Sequence, residues 1–184
     1  MRALVVYESM FGNTRFVAEA IADGLGTLME VETLPVGDAV GHLEAIPDAV
    51  DLLVVGGPTH AFGMSRPGTR ADAVTKHGAP AITSQATGIR EWLDVLTAAP
   101  MSSGLRMATF DTRVRRPRVP GSAAKRAATA LRRLGVRPAA APETFWVDGV
   151  SGPLVAGETD RARQWGAQLA TSVAGSASGR ANSR

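Results

Sequence analysis

The stretch that most constrains the fold is residues 3–24, ALVVYESMFGNTRFVAEAIADG. Ala3–Tyr7 is a short apolar run with adjacent valines, the pattern of a strand buried on both faces in a parallel sheet. From Thr14 to Leu28 the apolar residues Phe16, Val17, Ala20, Ile21 and Leu25 keep helical spacing, with Gly24 and Gly26 as punctuation. Between strand and helix lies a polar turn, Ser9–Thr14. Such a turn presents backbone N–H groups and small hydroxyls to an anion at a helix N-terminus.

The rest of the chain repeats this alternation. Asp51–Gly57 is a second buried strand, running into Gly56-Gly57-Pro58-Thr59-His60-Ala61-Phe62-Gly63-Met64. Arg106–Thr112 is a third central strand. Glu30–Pro35 alternates apolar and charged residues and reads as an exposed edge strand. Phe145–Val147 is a further strand, joined at the sheet edge by Val136–Ala139. Helices are expected at Val40–Ala45 (one short turn), Gly88–Leu96, Ala123–Leu134 after Gly121-Ser122, and Thr159–Val173. Residues 65–87 read as a mobile loop with some helix near Thr69–Thr75. Gly175–Arg184 is small, polar and aperiodic, and reads as a disordered tail after a domain spanning residues 1–174.

Strands alternating with helices predict an α/β doubly wound parallel sheet with helices on both faces. In such sheets ligands sit beyond the strand C-termini. Loops 8–14, 58–66 and 111–122 should therefore converge at one end. A chain of 184 residues is long enough for one real core. There is no cysteine, which excludes disulfides and thiol chemistry, and the histidines His42, His60 and His77 make no metal-ligand pattern. No apolar run approaches membrane-spanning length. Only a short apolar run precedes Glu8, too little for a signal peptide, so a cytoplasmic location is expected.

No lysine follows Gly12, unlike the loop that binds nucleoside triphosphates, and the dinucleotide pattern G-x-G-x-x-G is absent here. A cradle of hydroxyls and amides, with Arg15 as the nearest charge, suits a phosphate monoester. The same residues can also be read as a turn with an N-cap and no ligand. Phe11, His60, Phe62 and Phe110 are the flat side chains near the expected ligand end. For Phe110 alone, core packing is the better reading.

Val5–Thr14, followed by Ala18 and Ile21, resembles the N-terminal signature of flavodoxins. Gly56-Gly57-Pro58-Thr59 is similar to their second flavin loop, and Thr109–Thr112 with Gly121-Ser122-Ala123-Ala124 to their third. Gly152-Pro153-Leu154, Gly157-Glu158 and Arg161–Gly166 resemble their closing segment, so the likeness runs over residues 2–174. It implies a flavodoxin-like five-stranded sheet of order 2-1-3-4-5 that holds FMN non-covalently. Ser9, Met10, Phe11, Gly12, Asn13 and Thr14 would then surround the phosphate. Pro58, Thr59, His60 and Phe62, with Phe110, Asp111, Thr112 and Arg113, would border the isoalloxazine.

The chain departs from these relatives in two respects. Many flavodoxins sandwich the flavin between Trp and Tyr, whereas Tyr7 here lies in the first strand and Trp92, Trp146 and Trp165 lie on core patterns. Stacking is left to His60 and Phe62. Flavodoxins are also acidic, whereas residues 113–142 carry 9 basic groups and no acid. A nearby arginine favours a reduced, negatively charged flavin. Three functions stay open. The chain is an electron carrier with a redox partner protein, for which an acidic surface is one candidate. Alternatively it is an FMN-dependent reductase of quinones using a nicotinamide nucleotide, or a non-redox binding module. The basic segment is not interleaved with aromatics, so nucleic-acid binding ranks low, and no hydrolytic triad is suggested.

Overall fold

The computed structural model describes residues 1–42, 50–60, 62–77, 87–96, 101, 104–117 and 120–181. Apolar runs form β1 (Arg2–Tyr7), β3 (Leu52–Pro58) and β4 (Arg106–Val114), and the alternating segment forms β2 (Glu30–Pro35) at one edge. The order is β2-β1-β3-β4, with every pair parallel. The fifth position is shared by two short strands, β5 (Arg137–Pro138) and β6 (Glu143–Val147). Both pair with the same neighbour, β5 against Arg106 and Met107, β6 from Phe110 to Val114. The expected order 2-1-3-4-5 holds, with its last strand interrupted. Pro138 and Pro142 lie in and beside the interruption, and proline has no N–H to donate to a ladder.

Helices cover both faces. Val5, Val54 and Phe110 pack with Val17, Ile21 and Leu169 on one side, under α1 (Asn13–Leu25) and α6 (Glu158–Ala181). Leu4, Val6, Leu53 and Val55 pack with Trp92, Leu96 and Leu131 on the other, under α4 (Ile89–Leu96) and α5 (Ala123–Arg133). Burial on both faces is why β1 and β3 read as continuous apolar runs. Among the described residues no helix is long and apolar enough to cross a membrane.

Three local expectations change. Helix α2 begins at Val36, directly after Pro35, and passes at Val40–His42 into a 3₁₀ turn; the remainder of the expected Val40–Ala45 helix lies outside the described residues. The helix expected near Thr69–Thr75 is present as α3 and longer, Pro67–His77, starting on a proline whose missing N–H costs nothing in the first turn. Residues 78–86 lie outside the described ones. In place of a tail from Gly175, α6 continues to Ala181. Once the stem up to Val173 is packed, each further residue adds a hydrogen bond without a new nucleation cost.

Two buried carboxylates fasten the loops to the strand ends. Asp111 is fully buried, and its Oδ2 accepts from Thr59 Oγ1 at 2.9 Å, Ser122 Oγ at 2.6 Å and the Ala124 N–H at 3.1 Å. Its Oδ1 accepts from Thr144 Oγ1 at 2.7 Å. One side chain thus joins the loop after β3, the start of α5 and β6. Glu8 is buried at the end of β1, where Oε2 accepts from the Ile89 N–H at 3.0 Å, at the start of α4. Arg70, only 1% exposed, donates to Ser65 Oγ at 2.9 Å and to Glu91 Oε2 at 3.1 Å. Glu91 in turn accepts from the Gly88 N–H at 2.8 Å. Burial pushes the Glu8 carboxyl above its ordinary value of 4.5, against the hydrogen bonds from Ser65 and Ile89 and the charge of Arg70.

Asp111→Ala strips an acceptor from four donors in three segments, and we expect it to destabilise the fold by about 2–4 kcal/mol in urea denaturation. Glu8 gives a pH test. Below 4.5 it is protonated in folded and unfolded chains alike; as pH rises the unfolded chain releases the proton first, so stability falls through the window up to the raised folded value. Glu8→Gln removes that dependence. Its stability relative to the parent should therefore rise as pH is taken upward from 4.5, until the raised folded value is passed.

Candidate functional site

The loops after β1, β3 and β4 converge as the topology requires, around an open cleft of about 260 Å³. This is near the low end of the roughly 300–1,000 Å³ typical of small-molecule sites. Met10, Phe11, Asn13 and Thr14 form one side, Pro58, Thr59 and His60 a second, and Thr112 and Arg113 a third.

The first loop is built for close approach. Gly12 opens α1 with φ 87°, a left-handed conformation that glycine adopts without the steric cost of a Cβ. Gly12 itself offers no side chain to cap the helix. The N–H groups of Gly12, Asn13 and Thr14 find no acceptor among the described residues, whereas the Arg15 N–H reaches Ser9 Oγ at 3.3 Å. Ser9 is buried beneath the turn rather than lining the cleft. Thr14 and Thr112 share a hydroxyl–hydroxyl bond of 2.8 Å, and the Asn13 amide donates to the Ser151 carbonyl at 2.9 Å. Arg15 turns away, pairing with Glu19 along α1 at 2.7 Å.

In the second loop, Thr59 donates its N–H to the Thr112 carbonyl at 2.9 Å, and His60 and Gly63 exchange two backbone bonds of 2.8 and 2.6 Å. That tight return holds His60 in the cleft wall. Burial lowers the His60 pKa below its ordinary value of 6.5, helped by the nearby Arg70 charge, so at neutral pH the cleft faces an uncharged imidazole. Phe62, two residues on, is thrown outward, 60% exposed, and does not line the cleft.

The third loop divides by the pleat of β4. Thr112 and Arg113 reach the cleft. Phe110 does not: it is buried in the core, edge-on to Phe145 with centroids 6.1 Å apart, and its ring occupies the space beside Gly56 where a Cβ would go. Asp111 is spent as the buried clamp. The Arg113 guanidinium lies 5.8 Å from the centre of the half-buried Trp146 ring. Sequence reasoning missed Val114, Val147 and Val150, which complete the wall. Val114 follows from a strand two residues longer than expected, and Val147 from its place at the end of β6. Val150 lies in a Gly/Pro loop and leaves no signal.

The cleft combines an apolar floor, uncapped N–H groups at one helix terminus, one guanidinium and one neutral imidazole. Among the described residues no three His, Cys, Asp or Glu side chains are grouped to hold a metal ion. Such a site is suited to binding and orienting an anionic, partly flat ligand.

No protein-family model matches the chain, and no curated protein matches it by sequence. Solved structures do match. The flavodiiron core of Flv1 from Synechocystis sp. PCC6803 superposes with a TM-score of 0.66 at 16% identity, covering 96% of this chain. The chain spans only 36% of that core. A flavodoxin from the domain Archaea gives 0.63 at 21% identity, covering 94% of this chain and 99% of that one. Flavodoxin 2 from Bacillus cereus gives 0.66 at 17% identity, covering 93% and 99%. At these identities the likeness is one of architecture, and with the parallel order β2-β1-β3-β4-β5 it establishes that the chain has the flavodoxin-like fold.

Proposed function

We propose that the chain binds FMN in this cleft and acts in electron transfer. The observation that carries the reading is the start of α1, where Gly12, Asn13 and Thr14 hold out N–H groups without acceptors at an uncapped helix terminus beside the cleft. A phosphate supplies the acceptors and the negative charge that such a terminus lacks. Thr14 and Asn13 stand ready to add side-chain donors. Pro58, Thr59, His60 and Arg113 form walls for a flat ring system, which FMN carries and a bare phosphate does not. The residues thus fit the group. The bound flavin would supply the redox chemistry; the chain supplies binding, orientation and charge.

A second reading has one observation in its favour. Phe11 and the His60 imidazole are the flat side chains of the cleft wall, because Phe62 and Phe110 point elsewhere. A ring covered so thinly leaves room for a second small molecule, as a quinone reductase fed by a nicotinamide nucleotide requires. Oxidation of NAD(P)H by the FMN-loaded protein alone, with a quinone present, separates the two. We expect none without an added reductase.

Two measurements test the main reading. In an FMN titration followed by flavin absorbance, Gly12→Asp should weaken binding at least about tenfold by repelling the phosphate, while Gly12→Asn, neutral and tolerant of positive φ, should weaken it less. Equal affinity for parent and Gly12→Asp would remove the phosphate assignment. In the FMN-loaded protein a cation at the cleft wall favours the more negatively charged redox state. Arg113→Gln should then make the two-electron potential more negative by on the order of 30 mV.

A further inference from the structure

Phe62 is the only non-glycine residue with positive φ among the described ones, at 75°. For a bulky side chain that conformation is uncommon and strained, and strain of this kind persists where surrounding structure enforces it. Here the His60–Gly63 return and a parallel bridge from Phe62 to Gly121 enforce it. The result is a large ring held 60% exposed at the rim of the cleft, where burial would be the cheaper choice.

The segments that meet at Phe62 carry several cations. Arg126 lies over Gly63, so close that a methyl there would meet its Cγ at 3.3 Å. Lys125 precedes it in the first turn of α5, which contains no acid, and Arg66 follows four residues after Phe62. Arg116 precedes Gly121 by five positions in the sequence. All four are exposed, and none has an ion-pair partner among the described residues, in contrast to Arg115, which pairs with Asp148 at 3.4 Å. The nearest carboxylate of β4, Asp111, is buried and bonded.

We propose that Phe62, with Arg66, Arg116, Lys125 and Arg126 about it, is a docking surface for an acidic protein that exchanges electrons at the adjacent cleft. One exposed aromatic anchor on segments rich in exposed cations has the make-up of an energetic centre in a protein interface, where Phe and Arg are enriched and a few residues carry most of the affinity. Unpaired surface cations steer an oppositely charged partner and make its association sensitive to salt. A single projecting ring, rather than an apolar helix face or a row of aromatics, fits a protein pocket better than a lipid surface or a nucleic-acid strand. The partner's redox role rests on the electron-transfer reading; the docking itself does not.

Binding of an acidic plant-type [2Fe–2S] ferredoxin to the full chain, measured by calorimetry and by amide shift mapping across a salt series, tests this. We expect binding that weakens steeply with salt, with shifts centred on residues 62–66 and 121–126. Phe62→Ala should weaken it at least tenfold. Phe62→Gly should weaken it equally while raising the unfolding midpoint, because it relieves the strained backbone; a merely structural role predicts no loss. Lys125→Glu, whose new charge suits a helix N-terminus, should lower affinity and flatten the salt dependence. No binding of the parent, shifts centred elsewhere, or equal affinity for basic cytochrome c, for vesicles rich in phosphatidylglycerol or for duplex DNA would overturn the proposal. FMN affinity is measured beside each variant. If Phe62→Ala loses ferredoxin but keeps FMN, docking is supported; if the parent binds ferredoxin but not FMN, the cofactor reading alone falls.

Discussion

The site depends on one carboxylate that never touches it. Asp111 is fully buried and takes hydrogen bonds from Thr59, Ser122, Thr144 and the backbone of Ala124. The four donors come from three segments meeting at the end of β4. Burying a charge without such partners would be severely unfavourable, so the loops and the carboxylate stabilise one another or fail together. Thr59 passes the arrangement on, since its hydroxyl also accepts from the Ala123 N–H at 3.0 Å. The cleft wall therefore inherits the rigidity of the sheet although it is made of loops.

Glu8 does the corresponding work at the end of β1 with less complete satisfaction. Its Oε1 has no partner among the described residues, and its neighbours reach it from α4 and the segment around Ser65. His60 is held below its ordinary pKa first by burial and then by the nearby Arg70 charge, so the buried cluster beside the second loop adds to the effect of burial on the imidazole in the cleft. Packing and electrostatics of the site come from residues behind it.

The fold was legible because a doubly covered parallel sheet writes itself as short, continuous apolar runs. Ala3–Tyr7 and Leu52–Val55 are such runs, rich in adjacent valines and of strand length, and the polar turns that follow them mark the ligand end expected of such a sheet. The edge was legible in outline: Val136–Ala139 was expected to join Phe145–Val147 there and does, but its shrinkage to the two-residue β5 was not. The site was legible by loop but not by side chain. Sequence position places Phe62, Phe110 and Asp111 beside the cleft. Which of them faces it depends on a two-residue return, the pleat of β4 and the demand of buried donors for an acceptor. None of these leaves a local pattern. The helix at Gly175–Ala181 was missed because small polar residues carry no amphipathic period even when a packed stem extends through them.

The bond from Asn13 to Ser151 spans 138 residues, and that from Thr14 to Thr112 spans 98. The cradle at the beginning of the chain is thus finished by residues near its other end. On the ribosome the first strand, turn and helix emerge early, yet their ligand end cannot close until the last strand and the loop beyond it have been made. The candidate site is therefore completed late in synthesis, with only the closing helix α6 still to come. A chain released before residue 151 could fold much of its sheet and still lack a finished place for the ligand.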